Sequence, residues 1–143
     1  MEKGHYSFTM IKPNALRNGH LTSILKMITD AGFRIVALKI TVITKQQAER
    51  FYHVHRERPF FDTLAEFMSS GPIGAAIIKK ENAVEDYRKL IGNTDPAKAD
   101  PGTIRHQFGV SITQNAVHGS DSIDNAYHES CFFFNELEIF ETL

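Results

Sequence analysis

Residues 5–12 read "HYSFTMIK". Tyr6, Phe8 and Met10 alternate with Ser7, Thr9 and Ile11, which predicts a strand, and Pro13 ends its pairing. Downstream the period changes. Leu21, Ile24, Leu25 and Ile28 recur at helical spacing, and Gly32 is placed to stop that helix. "RIVALKITVI", residues 34–43, returns to a period of two, with Val36, Leu38, Ile40 and Val42 expected on the core face. The first third of the chain is therefore a β-α-β unit.

The rest repeats the theme after a helical interlude. Thr44 and Gln47 form a capping box ahead of a helix lined by Ala48, Phe51, Tyr52 and His55. "RPFF" (residues 58–61) interrupts it, and Phe61, Leu64, Ala65 and Met68 mark a second short helix that ends at Gly71-Pro72. "IGAAIIK" (73–79) predicts a third strand. Asn82 and Glu85 suggest another capping box, for a helix ending near Gly92. Two Asp-Pro pairs make 92–102 an ordered loop, long for a small domain. "TIRHQF" predicts a helical turn and "ITQNAVHG" a last short strand. Ser120 or Asp121 is expected to cap a final helix with Ile123, Ala126, Tyr127, Ser130 and Cys131 on its inner stripe. Two split β-α-β halves imply an α+β fold, a ferredoxin-like sandwich with helices over a four-stranded antiparallel sheet.

Composition bounds the function. The 143 residues suit one domain, 1–143, and a hydrophobic content of 42% fills one core. A net charge of −1 gives no basic face, so nucleic acid is not indicated. No stretch suits a signal peptide or a membrane span, so a cytoplasmic protein is expected. The single cysteine, Cys131, permits no internal disulfide and suits a buried, inert thiol.

Chemistry-bearing residues are scattered. Lys12 ends the first strand, Arg88 lies on the polar side of its helix, and Arg105 follows "PGT". Each is ordinary alone, but three cations at element ends suit a polyphosphate if the fold gathers them. Phe60 is left off the apolar stripe that takes Phe61. It suits either a base-stacking ring or the rim of a subunit contact. His118 sits at a sharp turn in "NAVHGSDS" (115–122), where the plain alternative is a packed turn histidine. No metal-ligand spacing, P-loop or G-x-G-x-x-G pattern is present, so phosphate would have to be held by side chains.

Taken together, "IKPNA", "RPFF", "SGP", "NTDPAKADPGTIR" and "NAVHGSDS" resemble the nucleoside diphosphate kinase family in order and spacing, over nearly the whole chain. The resemblance implies transfer of the terminal phosphate of a nucleoside triphosphate to a nucleoside diphosphate, ping-pong, through a phosphohistidine, with broad base tolerance. On that likeness His118 is the nucleophile, attacking through Nδ1. Glu129 orients its ring, Ser120 stands beside it, and Lys12 serves catalysis. Lys12, Tyr52, Arg88, Thr94 and Arg105 match the phosphate-contacting set, with His55 and Arg58 at its edge. Lys12 and Asn115 fall near the sugar, and Phe60 is the base platform with Ile112 opposite. No metal ligand is implied in the protein; Mg²⁺ arrives on the nucleotide phosphates. The family also implies a homo-oligomer, with a short C-terminus favouring tetramer over hexamer. Asn14, Lys79, Lys80 and Tyr87 depart from the usual pattern, the last three away from the matched positions. A non-catalytic nucleotide-binding regulatory module on the same fold is the rival reading, though it has no need of His118 or Glu129.

Overall fold

A computed structural model of the chain describes residues 1–141. Strand β1 (Tyr6–Ile11) runs into a five-residue helix α1 (Pro13–Arg17) and then α2 (Leu21–Asp30). Strand β2 (Arg34–Thr41), helices α3 (Lys45–Phe51) and α4 (Phe61–Met68) and strand β3 (Ile73–Lys79) follow. Helix α5 (Ala83–Ile91) leads through a 3-10 turn at Pro96–Lys98 to α6 (Ile104–Phe108), β4 (Val117–Gly119) and α7 (Ile123–Phe133). The sheet order is β2-β3-β1-β4 with every pairing antiparallel, the expected ferredoxin-like α+β sandwich. Among the described residues no helix is long and apolar enough to cross a membrane.

β1 is buried along its whole length because both faces are covered. Tyr6, Phe8 and Met10 join Ala48, Ala65, Met68 and Phe133 from α3, α4 and α7. On the other face Ile11 meets Ile24 and Ile28 of α2, Tyr87 and Ile91 of α5, and Ile104 of α6. Of Ser7 and Thr9 on this buried strand, Ser7 keeps its hydroxyl without a partner among the described residues, and only Thr9 bonds inward. Its hydroxyl lies 2.7 Å from that of Tyr87.

Five local expectations change. Pro13 stops the strand but also starts α1, where its missing N–H costs nothing. In β2 the register shifts between Ile35 and Ala37, so Val36 and Ala37 are buried in succession. This bulge turns Leu38, Ile40 and Val42 outward, at 45%, 58% and 60% exposure, where alternation predicted core. Asn82 takes a left-handed conformation (φ 59°) and caps no backbone N–H, although its side chain reaches Glu85. Ser122, not Ser120 or Asp121, caps α7 by accepting from the Asn125 N–H. Finally, the inner stripe of α7 is Ala126, Ser130 and Phe133. Ile123, Tyr127 and Cys131 are exposed, so the thiol is not buried.

Candidate functional site

Where β1 and β4 end, α3, α5, α6, α7 and the loops around 93–94 and 109–115 enclose a cavity of about 580 Å³. Its walls carry Lys12, Tyr52, His55, Phe60, Arg88, Thr94, Arg105, Ile112, Asn115, His118 and Glu129, eleven of the thirteen residues picked out in sequence. Ser120 lies behind the wall, bonded to Glu129. Arg58 is exposed and is not among the lining residues.

His118 is presented by the shortest strand, opposite Met10 of β1. The turn before it is tight. Ala116 has φ 74°, and the Val117 N–H donates to the Asn115 carbonyl at 2.9 Å, a γ-turn that a non-glycine residue enters only with strain. The Lys12 N–H donates to the Ala116 carbonyl at 2.8 Å, tying this turn to the end of β1. After His118 the backbone has no room to rise. A Cβ on Gly119 would come within 3.0 Å of Ile91 and 3.1 Å of Tyr87. Tyr87 therefore sits under the strand carrying His118, although the sequence placed it away from the matched positions.

The imidazole is held from α7. Nε2 lies 2.9 Å from Oε1 of Glu129, and the same oxygen accepts the Ser120 hydroxyl at 2.7 Å. Ser120 is fixed in turn to β1, its Oγ accepting the Phe8 N–H at 3.1 Å. An ionised carboxylate only accepts, so this contact selects the tautomer with hydrogen on Nε2 and leaves a lone pair on Nδ1.

The cationic wall is less settled. Lys12 is buried, and its Nζ donates to the Thr113 carbonyl at 3.4 Å. Burial, and then the Arg105 charge, push its ammonium down to about 7. Arg105 is buried too. Nη1 donates to the Gly92 carbonyl and Nη2 to that of Val117, both at 3.0 Å. The fork thus clamps the end of α5 to β4, and burial brings its acidity to about 10. Asn115 donates to the Thr94 carbonyl at 3.0 Å. Arg105 Nε, Asn115 Oδ1 and the Tyr52 hydroxyl are buried with no protein partner, and burial drives the Tyr52 hydroxyl up. The unpaired donors among them, Arg105 Nε and the Tyr52 hydroxyl, fit a multiply charged oxyanion beside two cations, whereas Asn115 Oδ1 is an acceptor and suits a hydroxyl.

At the mouth, Phe60 is 46% exposed and Ile112 61%, and Val54 and Leu64 also line the cavity. Sequence reasoning missed Phe51, Val54, Asn93, Thr113, Asp121 and Asn125, all of which line the cavity. Helical spacing puts Phe51 on one side of α3 with Ala48, Tyr52 and His55 but does not show that it reaches the cavity. The others sit on a 3-10 turn, in loops or on a helix face whose direction spacing does not fix.

A family model for nucleoside diphosphate kinase matches residues 5–139. The chain is 55% identical to the nucleoside diphosphate kinase of Flavobacterium psychrophilum over 134 residues, 94% of this chain and 96% of that protein. Against the enzyme of Chlorobaculum tepidum the identity is 53%, over 93% and 95% of the two chains. Among solved structures, the nucleoside diphosphate kinase of Aquifex aeolicus superposes with a TM-score of 0.92 at 46% identity, covering 94% of this chain and 98% of that one. The halophilic enzyme of Halobacterium salinarum, in complex with CDP, gives a TM-score of 0.91 at 33% identity, over 95% and 91% of the two chains.

Proposed function

The chain belongs to the nucleoside diphosphate kinase family, and from that premise we propose that His118 carries the phosphoryl group between two nucleotides. The protein is an enzyme, a phosphotransferase acting between nucleotides. In our reading it acts by a ping-pong mechanism on one domain, residues 1–143. The observation that carries the reading is the His118–Glu129 contact, which leaves an Nδ1 lone pair free on a ring that lines a cavity with cations.

In the first half-reaction Nδ1 attacks the terminal phosphorus of a nucleoside triphosphate. The bond from that phosphorus to the bridging oxygen breaks, and its electrons leave on the diphosphate. Nε2 keeps its proton, and Glu129 balances the positive charge that grows on the ring. Lys12, Arg105, Arg88, Tyr52 and Thr94 hold the phosphates, with His55 at the rim and Arg58 outside it. Lys12 and Asn115 face the sugar. The diphosphate leaves, a second one enters the same cavity, and the reverse step discharges the ring. Phe60 stacks on the base across from Ile112. Stacking reads no base edge, which supports broad base tolerance.

The cations, hydroxyl and amide groups of this cavity suit phosphate oxygens rather than a metal ion. A Mg²⁺ carried on the nucleotide fits them, held through the phosphates that Lys12, Arg88 and Arg105 bind. Such an ion neutralises charge on the phosphates and polarises the bond that breaks. Self-association is supported by the outward apolar row of Leu38 and Ile40 on edge strand β2 and Val42 just after it. We take the assembly as a tetramer rather than a hexamer, and the nucleotide substrates support action in the cytoplasm.

The test mixes the protein with Mg²⁺ and terminally labelled ATP, without acceptor. Acid-labile, base-stable label should appear on the protein, be discharged by any nucleoside diphosphate, and vanish in His118→Ala while nucleotide still binds. Nucleotide binding without label in the unaltered protein would favour the regulatory module instead. Label surviving in His118→Ala would move the nucleophile to Ser120 or Ser122.

A further inference from the structure

We propose that Phe51 is a positioning residue for the phosphorylated histidine, fixing the plane of the His118 ring where Glu129 fixes only one of its atoms. The proposal rests on His118 as nucleophile. A single hydrogen bond at Nε2 sets a distance and leaves the imidazole free to tilt about that bond. Attack needs the Nδ1 lone pair aligned with the bond that breaks, so tilt matters.

The contacts that restrict tilt are aromatic. Phe51 lies 5.3 Å from His118, ring centre to ring centre, with the planes at 78°. Tyr52 stands 5.9 Å away at 82°, and Phe8 6.1 Å away at 54°. Perpendicular pairs at such separations are favoured by the ring quadrupoles. Phe51 is the nearest of the three, and four other rings hold it. Its centre lies 4.9 Å from Tyr52, 5.8 Å from Phe8, 5.4 Å from Phe132 and 5.6 Å from Phe133.

The sources of those neighbours give the arrangement its meaning. Phe132 and Phe133 follow Glu129 by three and four residues on α7, so they lie on the same side of that helix. One helix therefore sends a carboxylate to the imidazole nitrogen and two rings to the side chain that meets the imidazole at right angles. Phe51 also lines the cavity, whereas an ordinary core residue of α3 has no need to. Its spacing with Ala48 and Tyr52 explains burial but not the perpendicular approach to His118.

The experiment compares unaltered protein, Phe51→Leu and Phe51→Tyr. Phosphorylation by Mg²⁺-ATP is followed by rapid quench, ADP affinity by calorimetry, and the order of the His118 ring by ¹³C relaxation at its C–H groups. Phe51→Leu should phosphorylate about 10- to 100-fold more slowly, the loss expected when a reacting group leaves its attack geometry. Its ADP affinity should be unchanged and its imidazole more mobile, and Phe51→Tyr, which keeps the ring, should restore the rate. Should Phe51→Leu not fold, Phe51→Met fills the site with a flexible chain and carries the same expectation. A leucine or methionine variant phosphorylated at the full rate with an equally ordered imidazole overturns the proposal, as does a tyrosine variant as slow as leucine. Absence of label on His118 in the unaltered protein would instead sink the reading on which this one rests.

Discussion

On the α7 side of the cavity, Ser120, Glu129 and His118 Nε2 are bonded to one another and to β1. In the cationic wall, Arg105 Nε, Asn115 Oδ1 and the Tyr52 hydroxyl are buried without partners, and two cations repel each other. The first wall is preorganised by the chain alone, so its atoms need no rearrangement when the ring reacts. The second is kept under electrostatic tension that a polyanion relieves. Division of this kind lets the reacting atom stay fixed while the affinity for phosphate comes from groups the fold itself disfavours.

The widest separation between the walls should come from Lys12→Met. Phosphoryl transfer should fall about 10²- to 10³-fold, as for loss of one preorganised charge stabiliser. The folded protein should nonetheless gain about 0.5–2 kcal/mol at pH 7, because a disfavoured buried charge is gone. The sign follows from protons bound. Folding lowers Lys12 from 10.5 to about 7. Between those values the unfolded chain holds the extra proton, so this group makes stability rise with pH. Below pH 7 both states are charged and the full cost is present, so the gain in Lys12→Met should be largest there and shrink toward pH 10. Urea melts at pH 6 and 9 measure it, and a destabilised Lys12→Met at pH 6 would break the contrast.

A smaller kinetic effect should follow from Glu129→Gln on the finished wall. Phosphorylation should slow roughly a hundredfold, the size of a preorganised charge stabiliser's contribution, with nucleotide affinity unchanged. Rapid quench alongside calorimetry separates the two, and equal losses in rate and affinity would merge the walls into one functional unit. The smallest signal is a proton. At pH 8 Lys12 is largely neutral in the free protein, and phosphate oxygens restore its charge, so binding of ADP should take up as much as about one proton. Calorimetry in buffers of different ionisation enthalpy reads that number. Uptake that persists in Lys12→Met would assign the proton elsewhere.

Legibility in the sequence followed the range of the interactions. "IGAAIIK" reads as a strand because both its faces are covered, and the Thr44–Gln47 box is satisfied within four residues. Asn82 has the same local signature and takes a left-handed turn instead, since the Ala83 N–H donates to the Gly4 carbonyl, 79 positions away in sequence. Lys12 and Arg105 were visible as residue types. Their burial was not, because it is made by Thr113, Gly92 and Val117 from other parts of the chain. The resemblance to a family supplied the grouping that spacing withheld. Neither pattern nor resemblance distinguished Phe51 from the core residues beside it, since the difference lies in an angle between rings.

The bulge in β2 has an evolutionary side. Val36 is one residue with no opposite number on β3, while the residues on either side of it pair with consecutive positions of that strand. Loss of the single codon at 36 would therefore leave every other pair of the ladder in place, with Leu38 and Ile40 still facing outward. Point substitutions at Leu38, Ile40 and Val42 are what adjust how greasy the outer edge is. The outer face of this protein is thus more exposed to change by replacement than by deletion at the bulge. Two descendants of one gene that differ in length at this place would still present the same surface to their neighbours.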